Sequence, residues 1–260
     1  MTILQSLLLG IIQGLTEFLP VSSSGHLEIG HELLGVQGHD NLLFAVVVHG
    51  ATVLSTLVVF RKDVGNLFAG LFAFKWNEET RYVFLLLLSA VPVTIIGLLY
   101  RKEIESLFTG NLIFVGSMLL ITATLLAFTY FARSREKPIK WLDAFLIGIA
   151  QAVAVLPGIS RSGSTIATGL LLGKKKDEIA RFSFLMVLIP IIGANFIDIA
   201  NGEVAAETTI GFVPLAVGFV AAFISGLIAC SWMINIVKRG KLIYFALYCL
   251  IVGLIAIFAA

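Results

Sequence analysis

The sequence carries one interruption twice. Residues 10–35 and 148–173 align at a shift of 138 positions, placing Gly10 on Gly148, Gln13 on Gln151, Ser22 on Ser160, Ser24 on Ser162, Gly25 on Gly163 and Gly35 on Gly173. Pro20 and Pro157 correspond with a one-residue slip that the following residues restore. Glycine, proline and serine recurring in one order mark a duplication, because each such residue serves a turn or a close backbone approach that a repeat must reproduce. In each copy the interruption splits an apolar stretch into two arms, residues 3–19 and 26–34 in the first and 142–156 and 164–173 in the second. At about 1.5 Å per helical residue, the second arms reach only about half of a bilayer core about 30 Å thick. Each pair is therefore expected to be re-entrant, a helix-loop-helix that enters and leaves on one side. Irregular backbone at that depth has to line a protein-enclosed polar cavity.

Composition supplies the membrane. With 58% hydrophobic and 13% charged residues and a mean hydropathy of +1.01, the chain has too little charge to cover a water-soluble globule. Three apolar runs follow each interruption: residues 42–60, 82–100 and 112–132, then 179–200, 212–237 and 242–258. Residues 64–76, with Phe68, Phe72, Phe74 and Trp76, are expected to lie in the interface rather than cross it. An odd number of crossings per copy makes the second copy enter from the opposite face. The expected fold is an all-α integral membrane protein, a single membrane domain over residues 1–260. It consists of two inverted-topology repeats, residues 1–132 and 141–260, each a re-entrant helix-loop-helix plus three transmembrane helices. A short basic linker, residues 133–140, joins them.

Charge placement agrees. If the ends of the runs at residues 60, 132, 173 and 237 share one side, that side holds fifteen of the 18 basic residues, and the other holds only Arg101 and Lys102. The positive-inside rule makes the first side cytoplasmic, so a multi-pass plasma-membrane protein is expected whose first re-entrant loop opens to the outer face. Lys174, Lys175 and Lys176 read as a cytoplasmic anchor rather than a phosphate-binding run. No Lys or Arg precedes Arg61, so the first arm lacks the basic start of a secretory leader and is read as part of the fold. No basic stripe with interleaved aromatics points to nucleic acid. Cys230 and Cys249 sit in apolar runs and read as packing residues.

The eighteenth basic residue is Arg161, in the second interruption, Pro157-Gly-Ile-Ser160-Arg161-Ser162-Gly-Ser164-Thr165. An arginine at helix-centre depth costs about 2.5–3.5 kcal/mol on insertion scales, so it needs an anionic partner. Two are open: a structural ion pair with Glu17, or an anion held between guanidinium and hydroxyls. The first interruption, Gln13-Gly-Leu-Thr-Glu17-Phe-Leu-Pro20-Val-Ser22-Ser23-Ser24-Gly25-His26, places Gln13 and Glu17 on one helical face and follows them with a loop of hydroxyls and a histidine. Carboxylate, hydroxyl, imidazole and guanidinium together are the materials of phosphoryl or acyl transfer. His31, His39 and His49 read as bland. The spacing of Gly10 and Gly14 is read as serving helix packing within the fold.

These two segments resemble the paired signatures of the undecaprenyl-diphosphatase, or bacitracin-resistance, family of polyprenyl diphosphate phosphatases. The resemblance implies hydrolysis of undecaprenyl diphosphate to the monophosphate lipid carrier, with a divalent cation, Mg²⁺ or Ca²⁺, and a fold of interdigitated inverted repeats. On that reading Glu17, Ser23, His26 and Arg161 are catalytic. Gln13, Ser22, Ser24, Ser160, Ser162 and Thr165 join Arg161 in holding substrate phosphate, and Glu17 holds the metal. Ser23 is the expected nucleophile with His26 as its base, beside direct attack by a water that His26 activates. Many members carry Glu where this chain has Gln13, which leaves Glu17 as the acid on that face. The partners implied are the polyprenyl diphosphate and membrane lipids, with a homodimer open and no nucleic acid. The rival class is a secondary transporter or polyprenyl-phosphate flippase, because interrupted inverted repeats also build midplane transport sites.

Overall fold

The structure is a computed structural model describing residues 1–36, 40–108, 110–132, 136–200 and 210–260; the side chains of residues 40–42 and 198–200 are outside the description. His39, Arg133 and Arg135 therefore lie outside the described residues. The helices run in order α1 (Ile3–Phe18), α2 (Ser23–Leu34), α3 (Asp40–Val59), α4 (Arg61–Phe72), α5 (Glu78–Leu99), α6 (Arg101–Glu105), α7 (Leu112–Phe128), α8 (Trp141–Val153), α9 (Arg161–Leu171), α10 (Lys176–Met186), α11 (Leu188–Ala200), α12 (Phe212–Arg239) and α13 (Ile243–Phe258). A single 3-10 turn extends α7 to Phe131.

Among the described residues the fold is all-helical, and four segments are long and apolar enough to cross a membrane: Glu78–Leu99, Leu112–Phe131, Lys176–Ile197 and Phe212–Arg239. A fifth span arises if α3 and α4, bent by 79° at Phe60, count as one. That bend carries α4 sideways and leaves Phe68 and Phe72 exposed along it, the surface expected of an interfacial helix. Two expected crossings differ in form, although the first of them still counts among the four candidate spans as Lys176–Ile197. The run at 179–200 is divided at Val187 into α10 and α11, because Pro190 has no N–H to donate back to Met186. The last run forms a 16-residue helix, only about 24 Å long. The arms α1 and α8, of 16 and 13 residues, are likewise shorter than a full crossing.

The interruptions are tighter than the loops expected from their serines. Both second arms begin early: α2 starts at Ser23 and α9 at Arg161, so Ser23, Ser24, Gly25 and His26 lie in a first helical turn. Local hydrogen bonding explains it. Ser22 Oγ accepts from Gly25 N at 3.3 Å and Ser160 Oγ from Gly163 N at 3.0 Å, so each repeat uses its equivalent serine as N-cap.

The arms are held by helices of the other half. α1 packs along α12, α8 along α5, and α7 along α13. Gly10 and Gly14 make the first contact possible, since a Cβ on either would strike the α12 backbone at Gly218 or Ala222. Gly148 does the same for α8 against Ser89. The core beneath the interruptions is aromatic: Phe18 meets Phe184 edge-on at 5.8 Å, and Phe60 lies 6.2 Å from Phe184. Cys230 and Cys249 are buried free thiols, as expected of packing residues. Lys174 differs from the anchor expected of it: it is buried and pairs with Asp143 at 2.6 Å, while its ammonium also donates to Pro138 O at 3.2 Å.

Candidate active site

The two interruptions meet. Ser162 Oγ donates to Leu19 O at 3.1 Å, and Gly25 lies against Gly158, so closely that a Cβ on Gly25 would sit 3.0 Å from Gly158 Cα. Gly158 itself has φ +99°, a backbone that disfavours any side chain. The starts of α2 and α9 thus converge. Each leaves its first amides, those of Ser23 and Ser24 and of Arg161 and Ser162, without an intrahelical acceptor, the arrangement that receives anions at helix N-termini.

Glu17 and Arg161 close the junction. Arg161 Nη2 donates to Glu17 Oε1 at 2.7 Å, and Nη1 to Ser183 O at 3.1 Å. Their side chains are only 14% and 7% exposed, so the pair is largely out of water. A carboxylate that closely held is strongly stabilised as long as its lone pairs are filled. The other oxygen, Oε2, accepts from Ser23 Oγ at 2.7 Å and from Gln13 Nε2 at 3.1 Å. One carboxylate therefore gathers the amide, hydroxyl and guanidinium from both halves.

Other expected residues are placed differently. His26 does not face Ser23: Nδ1 contacts Ser22 O at 2.8 Å, and Nε2 the hydroxyl of Tyr248 at 2.8 Å, with the rings stacked at 5.6 Å. Both ring nitrogens are thereby engaged, and the group facing Ser23 Oγ is Glu17. Thr165 Oγ1 bonds Arg161 O at 2.9 Å and Ser183 Oγ at 2.6 Å, which supports the arginine from behind. Ser162 spends its proton on Leu19, and Ser160 caps α9 while Thr122 Oγ1 receives its amide at 3.0 Å. In this arrangement Ser160, Ser162 and Thr165 build the loop. Ser24, 3.3 Å from Ser22 Oγ, is partly exposed beside the junction. Ser22 is strained, with φ 69° at a residue other than glycine.

Two participants escaped sequence reasoning. Tyr248 lies 222 positions from its histidine, and nothing local marks it. His49 Nε2 stands 3.9 Å from Glu17 Oε2; its only signal was a histidine inside an apolar crossing.

Among the described residues no group of three or more His, Cys, Asp or Glu side chains could hold a metal ion. The donors that fit a hard cation are Glu17 and the buried Gln13 Oε1, which has no hydrogen-bond partner. Two protein oxygens suit a cation that takes its remaining ligands from phosphate and water.

Fold and site define an all-helical integral membrane protein whose polar centre is a buried carboxylate-guanidinium pair at two converging helix starts. Residues 6–255 match the family described as bacitracin resistance protein BacA, and the chain belongs to that family. It is 57% identical over 257 residues to an undecaprenyl-diphosphatase of Parabacteroides distasonis, covering 97% of this chain and 96% of that one. It is 56% identical over 257 residues to the undecaprenyl-diphosphatase of Bacteroides fragilis strain ATCC 25285, with the same coverage. The undecaprenyl-diphosphatase of Oceanobacillus iheyensis is 39% identical over 266 residues, with 98% of this chain and 96% of that one covered.

Proposed function

We propose that the chain is a membrane phosphatase that hydrolyses undecaprenyl diphosphate, or a related polyprenyl diphosphate, to the monophosphate lipid carrier and inorganic phosphate, recycling the carrier for cell-wall glycan synthesis. The observation that carries this reading is the bond from Ser23 to a carboxylate that also holds Arg161, inside a chain that matches its family almost end to end.

The site requires the substrate's terminal phosphate to take Arg161, whose fork-shaped guanidinium suits two phosphate oxygens. The free amides at the starts of α2 and α9 and the hydroxyl of Ser24 supply further donors. Ser23 Oγ attacks the terminal phosphorus, the bond to the bridging oxygen breaks, and its electron pair leaves on the monophosphate lipid. The serine proton passes to Glu17 along the existing hydrogen bond. Water then cleaves the phosphoserine, the proton returns to Ser23, and inorganic phosphate departs. Water held at the same carboxylate could instead attack directly, because Glu17 Oε2 accepts any donor in that position. His26, between Ser22 O and Tyr248, holds the strained turn that aims Ser23. A divalent cation at Glu17 and Gln13 Oε1 would neutralise phosphate charge.

Helix pairing supports two inverted repeats, residues 1–132 and 141–260, within one membrane domain. Exchanging the halves exchanges the contact of α1 on α12 with that of α8 on α5 and returns α7 on α13 to itself. The concentration of basic residues on one expected side supports a site in the plasma membrane that opens to the outer face. The polyprenyl tail finds an apolar seat in a cavity of about 570 Å³ whose lining includes Leu57, Leu67, Leu86, Leu185 and Ile189. Leu185 lies two residues beyond Ser183, whose carbonyl holds Arg161.

The test is phosphate release from a C55 diphosphate by purified protein in detergent, with and without EDTA. Cation-dependent release is expected. No release from folded protein across several polyprenyl lengths would overturn the phosphatase and favour a transporter, which needs a sealed membrane and cleaves nothing.

A further inference from the structure

We propose that Tyr248 is a positioning residue for the phosphatase reaction: its hydroxyl fixes the His26 ring in the tautomer that holds Ser22 in its strained turn, and so aims Ser23 at Glu17. The inference deepens the phosphatase reading above and rests on it. Its starting point is Ser22, whose φ of 69° costs a residue other than glycine about 1–3 kcal/mol and persists only where surrounding contacts over-determine it. The helix start alone does not supply those contacts. Ser160 makes the same cap to Gly163 N at 3.0 Å, and its carbonyl receives Ser164 N at 2.8 Å, yet it keeps φ −74°. Whatever holds Ser22 is therefore peculiar to the first copy.

The first copy has a link to α13 that the second lacks. Ser22 O accepts twice from His26, from the backbone N at 3.1 Å and from Nδ1 at 2.8 Å. A carbonyl can only accept, so Nδ1 carries a proton, and the lone pair of the neutral ring lies on Nε2. The Tyr248 hydroxyl, 2.8 Å away, donates to it, and the two rings stack at 5.6 Å. The position matching His26 at the repeat shift is Ser164, which has no ring. Beside Tyr248, Cys249 Sγ donates to Pro20 O at 3.7 Å, so neighbouring residues of α13 grip both ends of segment 20–26. α13 is itself firmly seated, because Gly116 and Gly253 bring it so close to α7 that a Cβ on Gly116 would stand 2.6 Å from Gly253 O.

The hydroxyl decides which nitrogen of the neutral ring is protonated, since a bond made at one imidazole nitrogen sets the state of the other. Without it Nε2 loses its donor, and the ring is free to carry its proton there instead. That form turns the Nδ1 lone pair toward the lone pairs of Ser22 O and repels it. Ser22 O then keeps only its backbone bond, as Ser160 O does, and the strained turn relaxes. Ser23 follows directly, and its Oγ meets Glu17 Oε2 at 2.7 Å, so the relaxation is felt at the reacting hydroxyl. Arg161, the chief phosphate ligand, begins α9 and lies outside this tie. Loss of the hydroxyl should thus fall on kcat rather than on KM.

The experiment uses Tyr248→Phe, which keeps the stacked ring and opens no cavity, because that ring is already 43% exposed. With the C55 diphosphate, kcat should fall about tenfold while KM stays within about twofold of wild type. Nitrogen NMR of histidine-labelled protein at alkaline pH, with His26 assigned against His26→Gln, should show the Nδ1-protonated tautomer in wild type and a share of the Nε2-protonated one in Tyr248→Phe. The wild-type spectrum decides even if the variant folds poorly. Because Tyr248 acts through Ser23, adding Tyr248→Phe to Ser23→Ala should lower the residual turnover by less than about twofold. Wild-type kcat in Tyr248→Phe, a change confined to KM, a wild-type His26 protonated at Nε2, or a further tenfold loss in the Ser23→Ala background would each overturn the inference. Absence of phosphate release from the wild type would instead sink the phosphatase reading.

Discussion

The two interruptions share a scaffold and divide the chemistry. Each begins its second arm with a serine N-cap, Ser22 or Ser160, that receives the glycine amide three residues on. Each has a glutamine at the matching turn of its first arm, yet Gln13 donates to Glu17 while both amide atoms of Gln151 are buried without a partner. The first interruption carries the acid and the hydroxyl bonded to it, and the second carries the cation. Position 155, which matches Glu17 at the repeat shift, is Val155, and position 23, which matches Arg161, is Ser23. Two similarly capped helix starts thus meet in one place. The carboxylate ends α1 in one half and the guanidinium begins α9 in the other, so neither half contains the centre.

Removing the cation breaks that division most severely. Arg161→Ala should lower kcat/KM by about 10³-fold or more, since the clamp is lost. It also strands Glu17 in a buried position, a cost of about 3–5 kcal/mol when one partner of such a pair is removed. Arg161→Lys keeps a charge but not the two-pronged geometry and should recover only part of the rate. Phosphate release measured beside thermal unfolding in detergent separates the two losses; full turnover by a folded Arg161→Ala protein would end the clamp argument. On the other copy, Ser23→Ala should lower kcat by at least about 10²-fold with little change in stability. Near-native turnover in that variant would exclude the covalent route and leave direct water attack at Glu17.

Much of this division was legible in residue types alone. A lone arginine in an apolar stretch demanded an anion, and Glu17 was the acid on the one face able to supply it. The glycine spacing of α1 read correctly as packing because small residues are what close helix contact needs. Helix starts were less legible. Ser23, Ser24 and Gly25 favour turns in isolation, and their helical state depends on the cap that Ser22 supplies. Contacts without local cause were not legible at all: Tyr248 meets His26 through the packing of distant segments, and Lys174 finds Asp143 across 31 positions. The split at Val187 was visible in Pro190, but hydropathy averaged across it.

The contact between the interruptions can be tested next. Gly158 has φ +99°, and a Cβ there would stand 2.5 Å from Val115 O, so Gly158→Ala meets both a forbidden backbone and a clash. A loss of about 2–3 kcal/mol is expected. Gly25 lies within regular helix, and a Cβ there would press on Gly158 and Val115 without overlapping them, so Gly25→Ala should cost less, about 1 kcal/mol. Chemical or thermal unfolding of both variants checks the order. Equal losses would mean that crowding, rather than backbone conformation, governs the junction.

The smallest effect separates the two caps. Ser22 and Ser160 make the same hydrogen bond, but Ser22 does so at φ 69° and Ser160 at φ −74°. Replacing an N-cap serine by glycine costs only a few tenths of a kcal/mol. At Ser160 that loss should stand alone. At Ser22 glycine also relieves a left-handed conformation that costs a serine about 1 kcal/mol or more, so Ser22→Gly should leave the protein as stable or slightly stabler. Turnover should move the other way, because the strained turn sets the angle at which Ser23 meets Glu17, and freeing it spreads that angle over several conformations. A stabler protein with a lower kcat would show that the first copy stores strain for catalysis while the second merely starts a helix. A Ser22→Gly variant that loses stability and keeps its rate would place the strain outside the mechanism and make the two caps equivalent.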